Sequence, residues 1–87
     1  MKQVIVYTTT VCPYCIKAKQ LLKNKGVDFE EINLDGNPDE RMKLVEKANG
    51  MRTVPQIFIG ERHVGGCDDL YALEFNGELD ALLELTV

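Results

Sequence analysis

In "QVIVYTTTVCPYCIKAKQLLKNKG", residues 3–26, a strand pattern gives way to a helix pattern across a pair of cysteines. The β-branched run 3–8 suits a strand buried on both faces. From Cys12 onward the period becomes helical, with Cys15, Ala18 and Leu22 on one stripe and Leu21 beside it. Lys23 and Lys25 precede Gly26, the cationic last turn and C′ glycine expected of a helix end.

The same grammar extends outward. "VDFEEINL" (27–34) reads as a second strand in which Ile32 and Leu34 share a face, and Glu30 on that face marks a sheet edge. In "NPDERMKLVEKANG" (37–50), Asn37 is the expected N-cap, Pro38 the first helical residue and Gly50 the stop. Met42, Val45 and Ala48 (or Asn49) form its expected buried stripe. "QIFIGERHVGG" (56–66) is a hairpin turning at Gly60-Glu61. "CDDLYALEF" (67–75) is a short helix, and Leu79, Leu82 and Leu83 mark a last helical turn or two. The predicted order is β-α-β-α-β-β-α, an α/β four-stranded mixed sheet flanked by helices, with the first β-α-β unit parallel and right-handed. Cys12 then falls just past the carboxyl end of a central strand, where open α/β sheets place their ligands.

Composition narrows the function. The 87 residues are read as one domain, 1–87, and 45% hydrophobic content supports a folded core. A net charge of −4 argues against nucleic acid and anionic membranes as partners, though not against a small anion held by backbone amides. Three cysteines are too few for a disulfide framework. The N-terminal apolar run shows no leader-like cleavage site, and no stretch approaches the roughly 18 apolar residues of a membrane span. A reducing, cytoplasmic setting is therefore expected, where a lasting disulfide is disfavoured.

With Cys12 as N-cap and Pro13 at the first helical position, the free amides of Tyr14 and Cys15 point back at the Cys12 sulfur, and the helix dipole adds positive charge. Both favour the thiolate. Cys15, one turn on, lies under more cover. A fall in the Cys12 pKa from roughly 8.5 to roughly 5 would raise the thiolate fraction about 30-fold at neutral pH. A Brønsted slope of ~0.4–0.5 costs about 25- to 55-fold in intrinsic nucleophilicity. Attack is roughly unchanged, and the gain is in Cys12 as a leaving group. A zinc site could recruit His63 and Cys67, but the intervening segment is far longer than zinc-finger spacing and carries βαβ pattern. A c-type haem site needs His where this chain has Ile16. A reversible redox couple is the reading that fits.

"CPYC", "TVPQIFIG" and "HVGGCDDL", in this order, resemble a dithiol glutaredoxin of the bacterial type over essentially the whole chain. The resemblance implies the thioredoxin-like fold and a glutathione-dependent oxidoreductase acting on protein disulfides and glutathione mixed disulfides. It implies Cys12 as nucleophile and Cys15 as resolving cysteine, with glutathione as reducing co-substrate and no metal. Tyr14, Thr53, Val54, Pro55, Gly66, Cys67 and Asp68 would contact glutathione, with Thr9, Arg52 and Asp69 as further contacts. Asp68 or Asp69 would take the α-ammonium. It makes the Val54–Pro55 bond cis, although cis occurs in only about 5–6% of such bonds. Its expected partners are glutathione and disulfide-containing or glutathionylated proteins, and the chain is expected to be a monomer. Pro13 argues against the iron–sulfur modules of the family, which usually carry Gly there. A carrier recycled by a flavoprotein reductase is the nearest alternative. Many relatives have lysine where this chain has Thr9, so a weaker glutathione site and a higher Cys12 pKa are expected, with Arg52 or Lys17 as partial substitutes.

Other residues take plainer readings. Tyr7 is packing, Gln56 a strand-surface residue, His63 a hairpin surface residue, and Cys67 a shielded thiol whose backbone amide is the functional part. Asp68 and Asp69 cap their helix.

Overall fold

The computed structural model describes residues 3–83. Its elements are β1 (Val4–Thr8), α1 (Pro13–Asn24), β2 (Glu30–Asn33), α2 (Pro38–Lys47), β3 (Gln56–Ile59), β4 (Arg62–Gly65), α3 (Cys67–Phe75) and α4 (Leu79–Leu82). The sheet order is β2-β1-β3-β4. β1 runs parallel to β2 and antiparallel to β3, and β3 pairs antiparallel with β4. The arrangement is the expected α/β mixed sheet.

Alternation along the strands builds two cores. Val4, Val6, Ile57 and Ile59 meet Ala18, Leu21 and Leu22 of α1, Leu70 and Leu73 of α3, and Leu79 of α4. On the other face Tyr7 joins Leu34, Leu44 and Ala48, with Ile5, Ile32, Val54 and Phe58 alongside. Tyr7 meets Phe58 edge-to-face at 5.7 Å, so its role is packing, as expected. Each wholly buried leucine contributes roughly 1.5–3 kcal/mol of burial. At the far end of α1, Lys25 Nζ lies 2.7 Å from Glu74 of α3 and 2.6 Å from Asp80 of α4.

Local chemistry sets the helix limits. The Asn37 side chain accepts the Glu40 amide and Pro38 opens α2. Gly26 ends α1 with φ 72°, a left-handed geometry that glycine adopts freely.

Two expectations need correction. Met42 is 61% exposed, and the α2 stripe is Leu44 and Ala48. At 100° per residue Met42 points almost opposite Leu44, so it leaves the stripe, while Ala48 is buried as expected and Val45 is half-buried. The second strand is also shorter than 27–34. As an edge strand it pairs with β1 alone, from Ile5↔Glu30 to Thr8↔Asn33. Val27 is instead held by its amide bond to the Leu22 carbonyl. On this edge Glu31 Oε2 accepts the buried Thr8 hydroxyl at 2.7 Å and meets Lys19 Nζ at 3.0 Å. These two contacts, the hydroxyl first, hold the Glu31 carboxyl below its ordinary pKa.

Candidate active site

Cys12 is the N-cap of α1, extended at φ −152° and ψ 94°, with Pro13 in the first turn. Its sulfur accepts the Cys15 amide at 3.1 Å. Of the two amides expected to point at this sulfur, only that of Cys15 makes the bond, since a cap atom is normally shared with one of the two positions. Cys12 and Cys15 form a disulfide, their Cα atoms 5.1 Å apart. Cys12 keeps 7% of its surface exposed and Cys15 1%, so the order of access follows the sequence expectation, although Cys12 itself is well covered in this oxidised form. Around the pair, Val11, Tyr14 and Ile16 are 90%, 58% and 60% exposed. These sequence neighbours give the disulfide an apolar rim.

A cavity of about 270 Å³ is lined by Tyr14, by Thr53, Val54 and Pro55 of the loop before β3, and by Gly66, Cys67, Asp68 and Asp69 at the start of α3. Residues far apart in sequence are thus brought to one cleft. Met51 lines it too, and nothing in the sequence reading singled it out. Thr9 and Arg52 do not line it, and neither does Lys17. The Val54–Pro55 bond is cis. Cys12 and Cys15 do not line the cleft themselves, Tyr14 between them doing so, and a larger hollow of about 360 Å³ lies elsewhere beside Ile5, Tyr7 and Phe58.

The start of α3 divides its two acids. Asp69 Oδ2 accepts the Gly66 amide at 3.0 Å, so this carboxylate is the cap. Asp68 is exposed and lines the cleft without such a bond. Gly65, at φ +117°, leaves room for Asp69, because a Cβ there would run into the Asp69 carboxylate. The free Cys67 thiol is 6% exposed. Burial first, and then the Asp68 charge, push its pKa up, which disfavours a second thiolate.

Two plain readings are overturned. Gln56 is fully buried, not on the strand surface: its Nε2 donates to the Thr53 carbonyl at 3.0 Å and its Oε1 lies 2.6 Å from His63 Nε2. His63 is only partly exposed, tilted over Phe58 at 4.9 Å and bonded through Nδ1 to Asn49 Nδ2 at 3.2 Å. Both ring nitrogens are engaged inside the protein. Among the described residues, no three or more His, Cys, Asp or Glu side chains gather at a spot able to hold a metal ion.

A dithiol closing at a helix N-cap, around a tyrosine that shares a cleft with a cis-proline loop, defines a thioredoxin-like thiol–disulfide oxidoreductase site. Comparison with known proteins agrees. The Glutaredoxin family model matches residues 4–64. A glutaredoxin of Pseudomonas aeruginosa is 66% identical over 83 residues, covering 95% of this chain and 98% of that protein. Glutaredoxin 3 of Escherichia coli is 54% identical over 84 residues, covering 97% and 100%. Among solved structures, a buckwheat glutaredoxin–glutathione complex matches with TM-score 0.87 at 33% identity, covering 97% of this chain and 78% of that one. A Brucella melitensis glutaredoxin matches with TM-score 0.85 at 55% identity, covering 95% and 89%. The chain belongs to the glutaredoxin family.

Proposed function

We propose that this protein uses glutathione to reduce protein disulfides and glutathione mixed disulfides, with Cys12 as the attacking sulfur and Cys15 as the resolving one. The observation that carries the assignment is the N-cap sulfur of Cys12, bonded to the Cys15 amide and paired with the better-covered Cys15, the two flanking Tyr14, which lines an open cleft.

In the dithiol route, the Cys12 thiolate attacks one sulfur of the substrate disulfide. That bond breaks, and the departing thiolate takes a proton. Cys15 gives up its proton and attacks the Cys12 sulfur, which expels the second substrate thiolate and leaves the Cys12–Cys15 disulfide. A glutathione thiolate then opens this disulfide at Cys12 and frees Cys15. A second glutathione attacks the glutathionyl sulfur, releasing Cys12 and glutathione disulfide. In the monothiol route Cys12 takes the glutathionyl group directly from its carrier, and one further glutathione removes it. The amide at the Cys12 sulfur stabilises the thiolate whenever Cys12 is attacker or leaving group.

Within the cleft, the Val54 backbone pairs with the cysteinyl part of glutathione, with Thr53 and Pro55 alongside and Tyr14 flanking it. The amides of Gly66, Cys67 and Asp68 at the α3 start receive the γ-glutamyl carboxylate. Asp69 is spent as the cap, which leaves Asp68 to meet the α-ammonium. The apolar rim of Val11, Tyr14 and Ile16 suits the backbone and apolar side chains of a protein substrate. A cytoplasmic setting, a monomeric state and electron transfer from glutathione to disulfide-containing or glutathionylated proteins accord with this chemistry. Among the described residues no helix is long and apolar enough to cross a membrane.

Reduction of a small mixed disulfide by glutathione, followed with the wild type beside Cys12→Ser, tests the assignment. Turnover by the wild type and none by Cys12→Ser is the expected result, and equal turnover by both would overturn it. Alkylation of the reduced protein should label Cys12 ahead of both Cys15 and Cys67.

A further inference from the structure

The cleft loop is held by a chain of hydrogen bonds that starts at its far end. Asn49, just past α2 with φ 56°, reaches His63 Nδ1 on β4. His63 Nε2 meets Gln56 Oε1 at 2.6 Å. Gln56 Nε2 donates to the Thr53 carbonyl at 3.0 Å and to the Thr53 hydroxyl at 3.3 Å. The contacts fix their own direction. A carbonyl can only accept, so Gln56 must present its NH₂ to Thr53 and its oxygen to His63. His63 then carries its proton on Nε2, and Nδ1 accepts from Asn49. Every donor in the series faces an acceptor.

Gln56 is an expensive choice if only packing mattered. It is fully buried opposite Tyr7, at a strand position an apolar side chain would fill without desolvating an amide. Its bonds to Thr53 directly, and to Asn49 through His63, tie both ends of the segment from Asn49 to Thr53, which carries Met51 and Thr53 into the cleft. Arg41 adds a bond to the Arg52 carbonyl at 3.3 Å. With the Thr53 carbonyl turned inward to Gln56, the neighbouring Val54 peptide groups make no backbone hydrogen bond among the described residues. They stand free to pair with a ligand.

We propose that Gln56, oriented by His63 and Asn49, is a positioning residue that presets the Thr53–Val54 backbone for the cysteinyl part of glutathione. This rests on reading the loop and α3 start as the glutathione cleft. Gln56 touches neither sulfur, so it governs how glutathione docks and leaves the reactivity of Cys12 alone.

The test compares Gln56→Leu, His63→Phe and Asp68→Asn with the wild type, using a glutathionylated peptide as substrate. His63→Phe keeps an aromatic ring over Phe58 while removing the donor to Gln56, and it carries the test should Gln56→Leu fail to fold. Gln56→Leu should raise KM about tenfold and His63→Phe about threefold, the order of one or part of one buried hydrogen bond. In both, kcat and the alkylation rate of Cys12 should stay within about twofold of wild type, a split that general loosening of the fold would not produce. Should Asp68→Asn raise KM while Gln56→Leu and His63→Phe leave it unchanged, the cleft stands and the positioning role is overturned. Should all three leave KM unchanged, the cleft reading fails and the proposal falls with it. A fall in kcat and in Cys12 alkylation without a rise in KM also overturns the positioning role.

Discussion

The Asp69 carboxylate occupies the space into which a Cβ on Gly65 would project, and from there it accepts the amide of Gly66. Strand β4 therefore hands over to helix α3 through a residue that has to be glycine for two reasons: its φ of +117° and the acid beside it. Gly65→Ala should cost about 1–3 kcal/mol from backbone strain alone. Removing the acid as well, in Gly65→Ala with Asp69→Ala, should recover only part of the loss, since the φ requirement remains. Chemical denaturation of the single and double variants measures both effects. A Gly65→Ala protein as stable as wild type would contradict the account.

Cys15→Ser separates the two routes. Removal of a glutathionyl group needs only Cys12 and a second glutathione, so it should persist at a rate within about tenfold of wild type. Reduction of a protein disulfide should fall by more than that, because the mixed disulfide loses its internal resolving thiol. Parallel assays of a glutathionylated peptide and a disulfide-bonded protein check the division. Loss of both activities together would defeat it.

From the family resemblance, Thr9 is expected to stand at a position where lysine is common. Thr9→Lys should lower the Cys12 pKa and reduce KM for a glutathionylated substrate about two- to fivefold, the effect of one exposed charge. The pH dependence of Cys12 alkylation reports the first and steady-state kinetics the second. Curves that superimpose on wild type would remove the electrostatic role assigned to this position.

Glu31 supplies a pH-dependent contribution on the far edge of the sheet. Its folded-state pKa is depressed, first by the Thr8 hydroxyl and then by Lys19. The stabilisation is therefore complete above the unfolded carboxyl pKa of about 4.3 and fades as pH falls through the lower folded value. Glu31→Gln should destabilise the protein by no more than about 1 kcal/mol at pH 7, given the exposure of the ion pair. The gap between variant and wild type should close in acid. Denaturation at pH 7 and pH 3 tests it, and a gap that widens in acid would reverse the sign.

What could be read from the chain and what could not divide along a physical line. Cys12 as N-cap, Pro13 and Pro38 at helix starts, the Gly60-Glu61 turn and the bounds of α3 depend on neighbours a few residues away, and spacing alone exposes them. The cleft residues Thr53 to Pro55 and Gly66 to Asp68 were found through the family motifs, since no local rule brings those two segments together. Gln56, His63 and Met51 escaped because their surroundings come from elsewhere in the fold. Strand alternation puts Gln56 on the Phe58 side, but only the approach of β4 and the α2 end shuts it from water. Met42 misled for a different reason. Two overlapping stripes, three and four residues apart, run along α2, and only the sheet decides which of them is buried.

β1 sits in the middle of the sheet, yet its antiparallel partner is made far later in the chain, with Val4 waiting for Ile59. On a ribosome, where chains emerge from the N-terminus, Cys12 and Cys15 leave the tunnel well before the strand that completes their sheet and the α3 segment that flanks their cleft. The order of translation thus makes this redox pair before the segments that complete its sheet and its cleft.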